Sequence, residues 1–194
     1  MELDPSANYI VSGIERSGTS MLMQILSNGE IPVAFDEQRK PDKNNPKGYY
    51  ELAGGKIINL LMQGKFPFER YKGIFIKITA YGLKFLPKGN YNIIYSERNI
   101  EETLDSMEKM AEINDENREE TKQIFLKLNS MIKKTITNRK DCKVLFLNYN
   151  DIIKHPETEI KKIPSFLQIK KANIDAMIET VDQTLYRQRH SKTA

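Results

Sequence analysis

The sequence has little of what a disulfide-bonded, zinc-binding or membrane-spanning protein needs. It contains one cysteine, Cys142, and two histidines, His155 and His190, that lie far apart. A single cysteine excludes an internal disulfide and is typical of a reducing compartment, and so few sulfur and imidazole ligands argue against a structural zinc site. No apolar run approaches about 20 residues, the length of a membrane helix, and the acidic start of the chain lacks a signal-peptide core. We therefore expect a cytoplasmic protein without a metal.

The charge balance also excludes some classes of partner. The chain has 30 Lys and Arg against 26 Asp and Glu, a formal net charge of +4, which is too mild to indicate nucleic-acid binding. A hydrophobic content of 39% and a charged content of 29% are typical of a globular protein. With 194 residues and neither repeat nor linker, residues 1–194 are predicted to form one domain. The sequence does not indicate an oligomeric state.

Short β-rich runs alternate with helical patterns along the chain, which predicts an α/β fold with a central parallel β-sheet flanked by helices. Strands are predicted at Tyr9–Ser12, Ile31–Ala34, Ile74–Ile78, Tyr91–Tyr95 and Lys143–Leu147. Helices are predicted directly after residue 18, near residues 57–62 and 100–111, at about 116–138, and as two or three short segments in a tail over 156–194. Their apolar stripes are predicted to be core, including Ile57, Ile58, Leu61 and Met62, and Ile124, Phe125, Leu128, Met131, Ile132 and Ile136.

A glycine-rich loop, GIERSGTS from Gly13 to Ser20, follows the first predicted strand and precedes a helix. It nearly fits the phosphate-binding P-loop pattern G-x-x-x-x-G-K-[ST], but Thr19 stands in the lysine position. Backbone N–H groups and the positive end of a helix bind a phosphate with or without that lysine. Arg16 supplies a cation inside the loop, and no apolar strand ends in a clear magnesium-binding aspartate. Residues 13–20 therefore predict a phosphate site that works without magnesium.

A second predicted anion site lies at residues 98–106. Arg98 stands where an apolar strand ends, and Ser106 follows eight residues later in the next helix. The interval from Asn99 to Ser106 is about two helical turns, so the hydroxyl lies above the helix start. Ligands of parallel sheets sit at the carboxyl ends of strands, and an arginine and a hydroxyl there can converge on one anion. We expect Arg16 and Arg98 to share one crevice.

Together, the RSGTS loop and the spacing of Arg98 and Ser106 resemble sulfotransferases that use 3'-phosphoadenosine 5'-phosphosulfate (PAPS). In that family the loop binds the 5'-phosphosulfate, which implies nucleotide contacts from Arg16, Ser17, Gly18, Thr19 and Ser20. The arginine and serine bind the 3'-phosphate. The segments NNPKGYYE, from residue 44, and VLFLNYNDIIKHPETE, from residue 144, are similar to segments of bacterial relatives.

The resemblance implies metal-independent, in-line transfer of a sulfuryl group from PAPS to a hydroxyl or amine, leaving adenosine 3',5'-bisphosphate (PAP). Arg16 is predicted to contact the bridging and sulfate oxygens, and Lys77, at a strand end, the sulfate or the acceptor. Relatives without a catalytic histidine use a glutamate beyond the second strand, which implies Glu37 as the general base. Glu51 is the alternative base. Departures from the family pattern include Ile100 in a position where relatives carry proline.

Other features bear on the nucleotide and the acceptor. The basic tail LYRQRHSK resembles a family segment that approaches the nucleotide, which implies contacts from Arg187 and Arg189. The acceptor is expected to be a small molecule or a carbohydrate. Five aromatic residues are candidates for its pocket or for core: Tyr49, Tyr50, Phe66, Phe68 and Tyr71.

Two other functions remain open from the sequence. One is a P-loop kinase that uses ATP and magnesium, against which the missing lysine and aspartate argue. The other is a non-catalytic nucleotide-binding relative, which keeps Arg16 and Arg98 but lacks a working base.

Overall fold

Four parallel strands form the central sheet of the protein, which is described by a computed structural model over residues 3–182 and 184. The strands are β1 Asn8–Gly13, β2 Phe75–Lys77, β3 Tyr91–Glu97 and β4 Cys142–Asn148, in the order β2-β1-β3-β4. Every neighbouring pair is parallel, with Ile10 of β1 opposite Ile76 of β2 and Ile93 of β3. The α/β class and the central parallel sheet predicted from the sequence are confirmed.

The strands alternate with helices and short 3₁₀ turns. The helices are α1 Thr19–Asn28, α2 Ile57–Met62, α3 Ile100–Ala111, α4 Arg118–Asn138, α5 Tyr149–Lys154, α6 Pro156–Ile160, α7 Lys162–Leu167 and α8 Ile174–Glu179. The 3₁₀ turns are Ala53–Gly55, Phe68–Tyr71 and Ala80–Phe85. Three short helices, α6 to α8, lie between Pro156 and Glu179, within the segment for which the sequence predicts a helical tail. Across the described residues, no helix is long and apolar enough to cross a membrane.

Alternate strand residues point to opposite faces of the sheet, and each face has its own apolar cluster. Val11, Phe75 and Ile94 pack with α1 and the short helices α5 to α8. Ile76 and Ile93 pack on the other face with α2, the turn Ala80–Phe85 and α4. The carboxyl ends of all four strands therefore meet at one edge, between two covered faces.

The predicted strand Ile31–Ala34 is reduced to a single parallel bridge, between Val33 and Phe75. Ala34 N–H donates to Phe75 O (2.8 Å), and Phe75 N–H donates to Pro32 O (2.9 Å). Because Pro32 has no N–H to donate, the backbone hydrogen bonds between this segment and β2 cannot continue through it.

Parts of the predicted apolar stripes are wrong. Ile124 and Met131 of α4 are 59% and 41% exposed, whereas Ile132 is fully buried. Each successive residue of a helix is rotated by about 100° about the helix axis. Ile124 and Met131 therefore point away from the buried face of α4, which carries Ile132. Met62, which follows the buried Leu61, is exposed for the same reason.

Candidate active site

The glycine loop joins β1 to α1 as predicted, with positive backbone φ angles at Arg16 and Gly18 among its residues. Arg16 has φ of 63° and Gly18 has φ of 101°, and α1 begins directly after Gly18. A Cβ atom on Gly18 would lie 2.3 Å from Cδ2 of Tyr149. Gly18 is therefore required both by its backbone conformation and by the tyrosine ring packed against it.

Substituting Gly18 by alanine should destabilise the protein by about 2–4 kcal/mol, because strained backbone adds to overpacking against Tyr149. Gly64→Ala is the matched control, since Gly64 also has a positive φ of 64° but nothing lies within 4 Å of its Cβ position. It should cost about 1–2 kcal/mol. Urea unfolding of both variants measures the difference. Equal losses would show that Tyr149 moves aside freely.

Arg16 lies against α3 rather than over the start of α1. Its Nε donates to Ser106 Oγ (2.9 Å) and its Nη2 to Asn44 O (3.4 Å). Burial lowers the pKa of Arg16, although the guanidinium stays protonated at neutral pH. The loop cation and the α3 hydroxyl are thus in direct contact, 90 residues apart in the chain.

Arg98 follows β3, and its side chain is 8% exposed. Its Nε lies 3.2 Å from Glu102 Oε2, and its Nη1 donates to Arg16 O (3.1 Å). The guanidinium carbon lies 4.6 Å from the ring centroid of Tyr149. Arg98 therefore connects the glycine loop to the first turn of α3, which Asn99 caps by accepting from Glu101 N–H (2.9 Å).

Lys77 ends β2 on the other side of the loop, and its side chain is 5% exposed. Its Nζ lies 2.9 Å from Glu51 Oε1 and 3.2 Å from Ser20 Oγ, and it also donates to Tyr49 O. Burial lowers the pKa of Lys77, and the Glu51 carboxylate opposes that shift. The second oxygen of Glu51 lies 2.9 Å from Arg39 Nη1, so the carboxylate bridges two cations.

One cavity of about 440 Å³ lies between these groups. This volume falls in the usual range of about 300–1,000 Å³ for small-molecule sites. Eight of the residues predicted from the sequence line it: Arg16, Gly18, Thr19, Ser20, Glu51, Lys77, Arg98 and Ser106. The expectation that Arg16 and Arg98 share one crevice agrees with this placement.

Some predicted site residues lie elsewhere. Glu37 is exposed and is not part of the cavity wall. Ser17 is fully buried beneath the loop, where its carbonyl accepts from Ser96 Oγ (2.6 Å). Arg187 and Arg189 lie outside the described residues.

The five aromatic candidates divide between the cavity and the core. Tyr49 lines the cavity, with the Arg39 guanidinium 3.6 Å from its ring centroid. Phe66 packs against Phe68 and Tyr71, with ring centroids 4.8 and 5.4 Å apart, in the apolar cluster on the α2 and α4 face of the sheet. Tyr50 packs against Phe35.

The cavity wall also contains residues that were not predicted as site residues, among them three cations and one aromatic residue: Arg39, Lys47, Lys109 and Tyr149. Lys109 could have been predicted as a site residue from the sequence, because it follows Ser106 by three residues and so lies on the same face of the helix. Arg39 and Lys47 lie in a segment without periodicity, which carries no such signal. Tyr149 is buried, and it packs against Gly18 and Arg98.

Comparisons with known proteins bear on the family and the fold of the chain. The family described as "Sulfotransferase domain" matches residues 6–193. The sulfotransferase domain from the Synechococcus PCC 7002 olefin synthase is 14% identical, with a TM-score of 0.59, over 99% of this chain and 91% of that one. Mouse sulfotransferase SULT7A1, complexed with PAP, is 18% identical, with a TM-score of 0.58, over 98% of this chain and 69% of that one. A sulfotransferase domain from the curacin biosynthetic pathway is 14% identical, with a TM-score of 0.53, over 91% of this chain and 78% of that one. A search of curated proteins finds no match. At such low identity the structural likeness shows the fold.

Proposed function

Because the chain belongs to the sulfotransferase domain family, whose members are PAPS-dependent transferases, we propose that it moves the sulfuryl group of PAPS to a hydroxyl or amine without a metal. The acceptor is proposed to be a small molecule or a carbohydrate. The observation that carries this proposal is the single cavity that joins the glycine loop, the Arg98 and Ser106 pair, and Lys77 with Glu51.

The charge of the cavity wall fits an anionic nucleotide. Among the described residues that line the cavity, six are Lys or Arg and three are Asp or Glu. The first turn of α1, a helix of 10 residues, adds backbone N–H groups and the positive end of its dipole. A ligand with several phosphate or sulfate charges gains from each of these features.

We assign the two ends of PAPS to two groups of residues in the cavity wall. Arg98 and Ser106 would hold the 3'-phosphate, and the loop N–H groups with Thr19 and Ser20 would hold the 5'-phosphosulfate. Lys77, in contact with Ser20, would neutralise charge on the sulfate side. Arg16 is hydrogen-bonded to Ser106, so its predicted contact with the bridging oxygen requires that this bond opens.

PAPS supplies an activated sulfuryl group, and the residues of the chain supply positioning, charge stabilisation and a proton acceptor. We favour Glu51 over Glu37 as that acceptor, because Glu51 lines the cavity beside Lys77.

Nucleotide titration tests the proposal directly. The protein should bind PAP in the presence of a metal chelator, and at least about tenfold more tightly than ATP with magnesium, because charge-assisted contacts to the 3'-phosphate add about 1.5–3 kcal/mol. Isothermal titration calorimetry measures both affinities. Binding of ATP with magnesium and not of PAP would overturn the proposal and favour the kinase.

A further inference from the structure

Lys109 is a cation of the cavity wall with no role so far. It lies on α3, three residues after Ser106, and its side chain is exposed. Residues three apart share a helix face, so the ammonium group lies on the side of α3 that carries the Ser106 hydroxyl. Met110, which follows it, contacts Arg16 through its sulfur (3.5 Å).

The carboxylates one helical turn from Lys109 are bound to other cations. Asp105, four residues before it, lies 2.6 Å from Arg118. Glu112, three residues after it, pairs with Lys43. Over residues 3–182 and 184, no carboxylate pairs with Lys109, although Asp105 of α3 stands at the usual spacing.

A second cation without a carboxylate partner lies beside the same hydroxyl. Arg16 donates to Ser106 Oγ and to the carbonyl of Asn44, and the described residues give it no ion pair. In contrast, the other cavity-lining cations, Arg39, Lys47, Lys77 and Arg98, each pair with a carboxylate. Two cavity-lining cations therefore have no carboxylate partner among the described residues: Arg16, which is hydrogen-bonded to Ser106, and Lys109, which lies three residues after it on α3.

We propose that Lys109 is a phosphate-binding residue that makes the site selective for a nucleotide with a second phosphate on its ribose, over the corresponding 5'-monophosphate. This inference rests on the proposed function, because it assigns the second phosphate to the Ser106 end of the cavity. A dianion there meets Arg16 and Arg98 in addition to Lys109, and Lys109 is the exposed member of the three, without a carboxylate partner among the described residues. Its exposure places it at the mouth, where it also attracts the dianion from solution.

The experiment compares PAP with adenosine 5'-monophosphate on three proteins: wild type, Lys109→Ala and Lys127→Ala. Lys127 is exposed on α4 and is not part of the cavity wall, so its loss removes the same charge elsewhere. Lys109→Ala should weaken PAP binding about fivefold, as expected for a partly solvated ion pair, and change monophosphate binding less than about twofold. Lys127→Ala should change neither. Raising the salt concentration should shrink the difference between the wild type and Lys109→Ala.

The outcomes separate the two proposals. If the wild type binds PAP and Lys109→Ala binds it equally well, the inference about Lys109 is overturned and the proposed function stands. Equal weakening of PAP and the monophosphate also overturns it, because Lys109 then acts as a general charge. If the wild type binds no PAP, the proposed function fails and the inference fails with it. Thermal unfolding of Lys109→Ala confirms that the exposed substitution leaves the fold intact.

Discussion

Arg98→Ala should weaken the binding of PAP by about 2–4 kcal/mol, because it removes a nearly buried guanidinium from the end of the cavity that Ser106 lines. The same substitution should weaken binding of adenosine 5'-monophosphate by at most about 1 kcal/mol, since that ligand lacks the 3'-phosphate. Calorimetric titration of both nucleotides gives the two losses. The difference between them is the contribution of Arg98 to the 3'-phosphate site.

The contacts of Arg98 make a control necessary. Its partner Glu102 is 2% exposed, and a buried carboxylate that loses its cation destabilises the fold. Glu102 is also bound by Asn150 Nδ2 (2.9 Å), and Arg98 Nη1 supports the loop through Arg16 O. The double variant Arg98→Ala with Glu102→Gln removes the buried charge and should bind PAP as poorly as the single variant.

Equal losses for PAP and the monophosphate would contradict this assignment. In that case Arg98 acts by supporting the backbone of the glycine loop, and the second phosphate of PAP lies elsewhere. Arg98→Lys separates charge from shape, because lysine keeps the charge but cannot form a two-pronged contact with a phosphate. It should recover part of the affinity for PAP.

The sequence predicts well those parts of the site that local patterns determine. The unit of strand, glycine loop and helix is encoded by neighbouring residues from Asn8 to Asn28. The end of β3 is marked by an apolar run that stops before Arg98. Because the sheet is parallel, the carboxyl ends of its strands meet at one edge. The parallel topology alone therefore predicts that Arg16, Lys77 and Arg98 lie close together.

The segment between α1 and α2 could not be predicted in the same way. Residues 35–56 lack hydrophobic periodicity, and their path depends on contacts between distant positions. Asp36 N–H donates to Glu51 O (2.8 Å), and the Asp36 carboxylate accepts from Ala53 N–H. This fold-back brings Glu51 to Lys77 and leaves Glu37 in solvent. The glutamate that the sequence favours as the base and its alternative therefore have different environments.

That difference gives the prediction with the largest expected effect. Glu51→Gln should lower the turnover of PAPS by about 10²–10⁴-fold, the usual contribution of a general base. Glutamine keeps the length of the side chain and an oxygen that accepts from Lys77 or Arg39, but it cannot take up the proton of the acceptor. Glu37→Gln is the matched control and should leave turnover unchanged, because Glu37 is exposed and is not part of the cavity wall.

The measurement is the release of PAP from PAPS in the presence of a panel of hydroxyl and amine compounds, with PAP affinity determined for each variant. Unchanged affinity in Glu51→Gln shows that the cavity is intact, so the loss is one of proton transfer. A loss with Glu37→Gln alone would establish the sequence-based choice of Glu37 and require the segment over residues 35–56 to move during turnover. If neither variant alters turnover, neither glutamate is the base. If the wild type binds PAP but releases none from PAPS with any compound, the non-catalytic nucleotide-binding alternative is favoured, since the cations of the cavity suffice for binding but not for transfer.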